Sequence, residues 1–218
     1  MTSKNRTEGQ ERRRTFTEEA RRAQLVDCAI DVLATRGYAQ ATLAEIAKCA
    51  GIVRSAVLYH FSGRDEVMRE VVRTLYERGA VYMRERIERV QRKPPDLLRA
   101  YIQSNLAFLG DHPRHVAATI EVVRNYRRED GTLHYGLETL DATLQPLQDL
   151  LAMGQRTGDF RAFSTHWLAL TIRAAIDAVA GQLIAHPDLD LDAAGRELST
   201  AFLRAVAASP AEHQEVST

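Results

Sequence analysis

Apolar residues return at every third or fourth position through most of this chain, and nowhere alternate over a useful strand length. That period predicts an all-α fold. The first run, "RRAQLVDCAIDVLATRG", places Leu25, Ala29, Val32 and Leu33 on one face and stops at Gly37, a normal helix end. Thr17 is its expected N-cap, with Glu18 and Glu19 well placed against the helix dipole. Two short helices follow: "LAEIAKCA", capped by Thr42, and Arg54 to His60. A long helix is expected over 65–93, with Val67, Val71, Leu75, Met83 and Ile87 in register, ended by "KPPD". Further helices are expected near 96–110, 113–129, 133–156, 164–186 and 190–208, with Pro146 predicting a kink or late start in the seventh. The result is about nine helices. Residues 1–16 read as a flexible basic arm, 17–64 as a three-helix head, 65–210 as a six-helix body and 211–218 as a loose tail.

Charge separates the same regions. Net charge is zero, yet residues 1–64 hold 11 Lys and Arg against 7 Asp and Glu, and the remainder holds 18 against 22. A basic head on an acidic body suits a small nucleic-acid-binding unit carried by a larger one that does not touch the nucleic acid. The uncharged apolar runs are short of a membrane span and no signal-peptide pattern opens the chain, so the expected setting is the cytoplasm, with no membrane partner.

The head carries the most specific pattern. Two short helices joined at Gly51 and supported by a preceding helix make a helix-turn-helix candidate. Ala47 and Ala50 are small enough for the helix crossing, and Ile52 supplies the apolar residue after the turn. The second helix of such a unit enters the major groove, and here its leading side chains are Arg54, Ser55 and Ala56, with Leu58 one turn on.

The segment from "RRAQLVDCAIDVLATRGY" through "TLAEIAKCAGIVRSAVLYHFSGRDEVMREVV" resembles the N-terminal domain of the TetR family of bacterial transcriptional regulators. "RGY" closing the first helix, "TLAEIA" with "AG", "YHF" and "GRDE" carry the likeness over about 50 residues. In the body, "GQRTGDFR" and the Ala-rich "TIRAAIDAVAGQLI" fit the family's variable effector-binding and dimerisation domain. The resemblance implies phosphate contacts from Tyr59, His60, Arg64 and Thr42, and base reading by Arg54, Ser55, Ala56 and Leu58. Two positions depart from the family's pattern. Val53 replaces a Ser or Thr N-cap, and Leu58 stands where many members carry a DNA-contacting Tyr.

The resemblance also implies a homodimer that binds a palindromic double-stranded operator and is released by a small effector, most simply as a repressor. Ala174, Ala175, Ala178 and Gly181, with Leu198, Phe202 and Ala205, would form a two-fold four-helix interface; intramolecular packing is the alternative. Tyr101, Asn105 and Phe108, with Asn125, Trp167 and Thr171, are candidate pocket residues for a hydrophobic or amphipathic ligand, or else core. The long helix after the head would be the lever between them.

Plainer readings compete at several positions. Tyr59 could pack in the head, whereas Phe61 and Tyr38 are assigned to its core. Lys4, Arg6, Arg12, Arg13 and Arg14 could reach the DNA backbone or remain a solvated tail. Cys28 and Cys49 are too few for a disulfide framework or a metal site; packing is the expected role and a thiol sensor the alternative. The seven histidines lack ligand spacing, although His112 and His115 are close in sequence. No Walker A, Rossmann, nucleophile-elbow or HExxH pattern occurs, so no cofactor and no catalysis are expected. The competing function is an all-α ligand-binding or interaction protein whose head lacks specific operator recognition.

Overall fold

The computed structural model describes residues 3–135 and 137–208, with side chains over 17–135 and 143–208. Nine α-helices are present among them: α1 (Ser3–Arg36), α2 (Leu43–Cys49), α3 (Arg54–His60), α4 (Arg64–Ile87), α5 (Pro94–Asp111), α6 (Pro113–Asn125), α7 (Leu137–Arg156), α8 (Thr165–Ala185) and α9 (Leu191–Val206). The only strand pairing among the described residues is two isolated bridges, Arg127 with Leu133 and Phe160 with Ala207. The all-α expectation holds.

Several ends differ from the sequence reading. The α1 backbone is helical from Ser3, so Thr17 lies inside the helix rather than capping it, and the expected arm is part of α1. The stretch before Thr17 holds Glu, Gln and Arg, all good helix formers, and no proline. The side chains of the five arm cations, and the tail from 209 onward, lie outside the described residues. At its far end α4 stops at Ile87, where Arg89 and Val90 tighten onto Arg86 and Ile87 through i→i−3 bonds of 3.2 and 3.3 Å. Helix α7 runs through Pro146, whose ring is exposed between buried Leu144 and Leu147.

The chain forms two compact units, and the boundary is not at residue 64. One unit comprises residues 1–76 and 114–134; the other comprises 77–113 and 135–218. The head therefore recruits the first half of α4 and nearly all of α6. Its core is Leu25, Ala29, Leu33, Ile46, Val57, Phe61, Met68 and Val71, drawn from α1 to α4 and the turn after α3. From α6, the buried His115 ring holds the Val71 carbonyl at 3.0 Å through Nε2. Glu121 Oε2 accepts the Tyr38 amide at 2.8 Å, beside Gly37, whose φ of 76° no Cβ-bearing residue adopts easily. After α6 the chain makes a small hairpin in place of the helix expected to 129. His134 N–H donates to the Tyr126 carbonyl at 2.9 Å and the two rings stack at 4.6 Å.

In the second unit α5 packs against α7, α8 and α9, and α8 also meets α7 and α9. The "GQRTGDF" segment forms a corner. Gly154 lies so close to the Phe160 ring that an added Cβ would sit 2.0 Å from it, and Phe160 N–H donates to the Gly154 carbonyl at 3.0 Å. Helix α8 is apolar and long enough, by composition and length alone, to cross a membrane. Its Arg173 and Asp177 pair in mid-helix at 3.1 Å, and its buried face packs on neighbouring helices.

Candidate nucleic-acid interface

The turn between α2 and α3 is built as the sequence requires. Thr42 caps α2 by accepting the Glu45 amide at 3.2 Å. Gly51 takes φ 66°, and Ile52 N–H donates to the Ala47 carbonyl at 3.0 Å, which sets the direction of α3. Helix α3 begins at Val53 without any side-chain capping bond. Only Val57 of this helix is fully buried, which with Phe61 anchors it to the head.

The opposite side of α3 is open. Arg54 and Ser55 are exposed and Ala56 is partly covered; Leu58 is 44% exposed and Tyr59 68%. Tyr59 therefore does not serve the core. Its hydroxyl lies 3.3 Å from Glu18, and its ring meets His60 edge-on at 5.0 Å. An exposed row of guanidinium, hydroxyl, aliphatic and phenol groups lines this side of the short helix. Such a row can read base edges and grip phosphate.

The cations around α3 divide between outward and inward roles. Arg64 was expected at phosphate, but its guanidinium turns inward. Nε donates to the Ala41 carbonyl at 2.8 Å, Nη2 to the Tyr38 carbonyl at 2.5 Å, and the group stacks 4.1 Å over the Tyr38 ring. Arg64 thus braces the loop between α1 and α2, and Tyr38 is half-covered by it. Arg22, which the sequence reading passed over, donates to the His60 carbonyl and to Glu66 Oε1, the latter at 3.0 Å, with its guanidinium 4.1 Å over Phe61. Glu66 in turn accepts the Ser62 amide at 2.7 Å. That backbone bond, with Arg22 adding to it, holds the Glu66 carboxyl below its usual range. The signal for Arg22 was available in principle, because an Arg on the inner side of α1 within an otherwise apolar face needs a partner.

The other candidate sites are scattered. In the second unit Asn105 and Phe108 are buried and Tyr101 is largely so. Asn105 donates to the Tyr101 carbonyl at 2.8 Å. Burial raises the Tyr101 phenol, with Arg173 opposing the shift. Phe108 joins Tyr82 and His112 in an aromatic cluster, and burial together with Asp111 pushes Tyr82 up to about 12. Trp167 and Thr171 do not join this group. Trp167 is 66% exposed, and the Thr171 hydroxyl merely returns to the Trp167 carbonyl along an exposed face of α8. Asn125 belongs to the head unit, exposed and bonded to the Glu121 carbonyl. Ala174 and Ala178 continue the exposed face of α8, with Ala175 and Gly181 at its partly covered margin, and a Cβ at Gly181 would meet nothing. On α9 Ala205 is exposed and Leu198 and Phe202 are half-covered. Among the described residues no group of three or more ligating side chains could hold a metal; His112 Nδ1 lies 3.1 Å from the Phe108 carbonyl.

These features define a helix-turn-helix head with an unpartnered recognition helix, carried by an all-α chain. Residues 25–71 match the model described as bacterial regulatory proteins, tetR family, and the chain carries the helix-turn-helix domain of that family. This region is similar to two HTH-type transcriptional regulators of Pseudomonas putida. SrpR is 41% identical over 61 residues (28% of this chain and 29% of that one), and TtgR is 40% identical over 66 residues (29% and 31%). The likeness thus spans under a third of the length of these curated relatives. The fold likeness is broader. FadR of Bacillus subtilis, solved with stearoyl-CoA, superposes with a TM-score of 0.73 at 19% identity over 84% of this chain and 98% of that one. The ketosteroid transcriptional regulator KstR2 of Mycobacterium tuberculosis gives 0.67 at 18% identity, over 87% and 96%.

Proposed function

We propose that this protein is a cytoplasmic, homodimeric transcriptional repressor that binds a palindromic operator and is released by a small hydrophobic or amphipathic effector. The observation that carries the reading is the exposed face of α3, which presents Arg54, Ser55, Leu58 and Tyr59. Arg54 pairs with guanine O6 and N7, Leu58 meets a thymine methyl, and Tyr59, His60 and Thr42 hold phosphate. One such head makes few contacts, and two on adjacent major-groove faces multiply the affinity. The exposed apolar face of α8, with Trp167, Ala174, Ala178 and Ile184, supports pairing with a second copy.

The effector reading rests on the second unit, where Tyr101, Asn105 and Phe108 combine apolar walls with a few polar groups. Fold neighbours solved with stearoyl-CoA or named for ketosteroids favour a lipid-like ligand. Helix α4 is continuous from Arg64 to Ile87, so a ligand that prefers one setting of this helix shifts the population of DNA-competent heads.

The test is selection of a duplex from random DNA, followed by quantitative band shifts. The expected product is an inverted repeat, bound with steep salt dependence, and Arg54→Ala combined with His60→Ala abolishes the preference. Unchanged binding by that double variant would sink the assignment of α3. Equal affinity for the selected and random duplexes would instead support an interaction protein, a reading that the uncapped, 68% exposed Val53 favours. In sedimentation, Ala178→Glu should convert the dimer to a monomer; a dimer that survives it does not use this face.

A further inference from the structure

Consecutive residues at the exit of α3 are all held by one charged pair. The His60 carbonyl accepts a hydrogen bond from Arg22 Nη1, the Arg22 guanidinium lies 4.1 Å over the Phe61 ring, and the Ser62 amide donates to Glu66 Oε2 at 2.7 Å. The pair closes on itself, with Arg22 Nη2 donating to Glu66 Oε1 at 3.0 Å. Arg22 comes from α1 and Glu66 from the first turn of α4, so the exit is fixed to both helices. The entry of α3 has no such hold. Val53 is exposed and makes no side-chain capping bond, and Val57 is the one buried residue of the helix.

A helix held in this way is aimed from its exit. Its 7 residues rise about 10 Å, so a tilt of about 10° at His60 moves the Arg54 end by roughly 2 Å. A side chain that must meet one base edge tolerates only about 0.5 Å of misplacement. Attraction to the phosphates is spread along the duplex and does not depend on that angle.

We propose that Arg22 and Glu66 are positioning residues for base reading: they set the angle of α3 without touching DNA, and thereby decide how far one sequence is preferred over others. The chemistry of Arg22 suits this role and that of Lys does not. A planar guanidinium offers its face to Phe61 while two nitrogens on its edge point separately to the His60 carbonyl and to Glu66. An ammonium has neither the plane nor the fork. Glu66 likewise uses both oxygens, one for Arg22 and one for Ser62.

The first arm of the test rests on the regulator reading. It uses the full-length protein with two probes, the duplex selected by the unsubstituted protein and a random duplex of equal length. Arg22→Lys and Glu66→Gln should each narrow the affinity ratio between the two by roughly tenfold or more, through weaker binding of the selected duplex. Affinity for the random duplex and its salt slope should change less than about twofold, because no phosphate contact is lost. The double variant should be no worse than either single one, since the pair acts as a unit. A ratio unchanged in both variants overturns the assignment, whatever happens to their melting temperatures. So does a parallel loss on both duplexes, which would make Arg22 itself a phosphate ligand. The second arm needs no DNA. Hydrogen exchange over residues 54–62 should quicken roughly tenfold or more in Arg22→Lys, with residues 43–49 unchanged. Unaltered exchange over 54–62, or an equal rise in both segments, overturns the clamp. If the unsubstituted protein selects no duplex, the regulator reading fails and the exchange result alone decides the clamp.

Discussion

The head and the second unit are held together by different kinds of force. In the head, charged side chains reach across elements to backbone groups: Arg22 to the end of α3, Arg64 to the loop before α2, and Glu121 to the corner after α1. In the second unit α5 sits among α7, α8 and α9 through apolar surfaces such as Leu98, Ile102, Leu106, Leu151, Ile172 and Ile176. A short recognition helix with one buried residue cannot be aimed by packing alone, so directional bonds at its ends supply the precision. The second unit has a tie of this kind at its corner, Arg161 Nε to the Ala205 carbonyl at 2.8 Å, while the wide apolar stripes of its long helices supply the rest of the packing.

Cutting packing and cutting bracing should therefore give different signatures. The largest effect is expected for Phe160→Ala in the second unit, which removes the ring seated on Gly154 and should cost about 3–5 kcal/mol in chemical denaturation. A loss below about 1 kcal/mol would mean that the corner is not a packing anchor. Next comes Arg64→Ala in the head, which strips the Ala41 carbonyl of its side-chain donor and leaves the Tyr38 carbonyl with the Ala41 amide at 3.2 Å, and should cost about 1–3 kcal/mol. If Arg64 served phosphate alone, melting would be unchanged and the salt slope of DNA binding would drop by about one.

Two smaller effects sharpen the picture of the head. Val53→Ser restores an oxygen at the uncapped start of α3 and should stabilise the head by about 1 kcal/mol. A neutral result would show that α3 is held entirely from its other end, by Arg22 and Phe61. Acid tests the Glu66 tie. Its folded pKa lies below the unfolded value, so the tie contributes fully above the usual glutamate range of about 4.3 and is lost as pH falls through the depressed folded value. Glu66→Gln should flatten that part of the acid-unfolding curve, and an unaltered curve would remove Glu66 from the account.

The sequence carried the helix-turn-helix almost completely, because each part of it is local. Gly51 answers to a positive φ, Thr42 to the free amide of Glu45 in the first turn it caps, and the 3.6-residue period of Leu25, Ala29 and Leu33 to a single helix face. Readings that depended on what faces what from afar fared differently. Trp167 and Thr171 looked like pocket residues because aromatic and polar groups one turn apart suit a ligand, yet the side of α8 that carries them is exposed. Arg64 looked like a phosphate ligand because charge alone does not tell an outward cation from one that caps carbonyls.

What the sequence determined by itself is the set of helices, the turn that joins α2 to α3 and the residues offered along α3, all set by backbone sterics and short-range periodicity. The tertiary structure decided which segments belong to the head, drawing in α6 and half of α4 from far along the chain. It also decided which cations brace the backbone, as Arg22 and Arg64 do, and which remain available. Those outcomes depend on the packing of distant segments and on desolvated directional bonds, neither of which has a period that a single sequence can display.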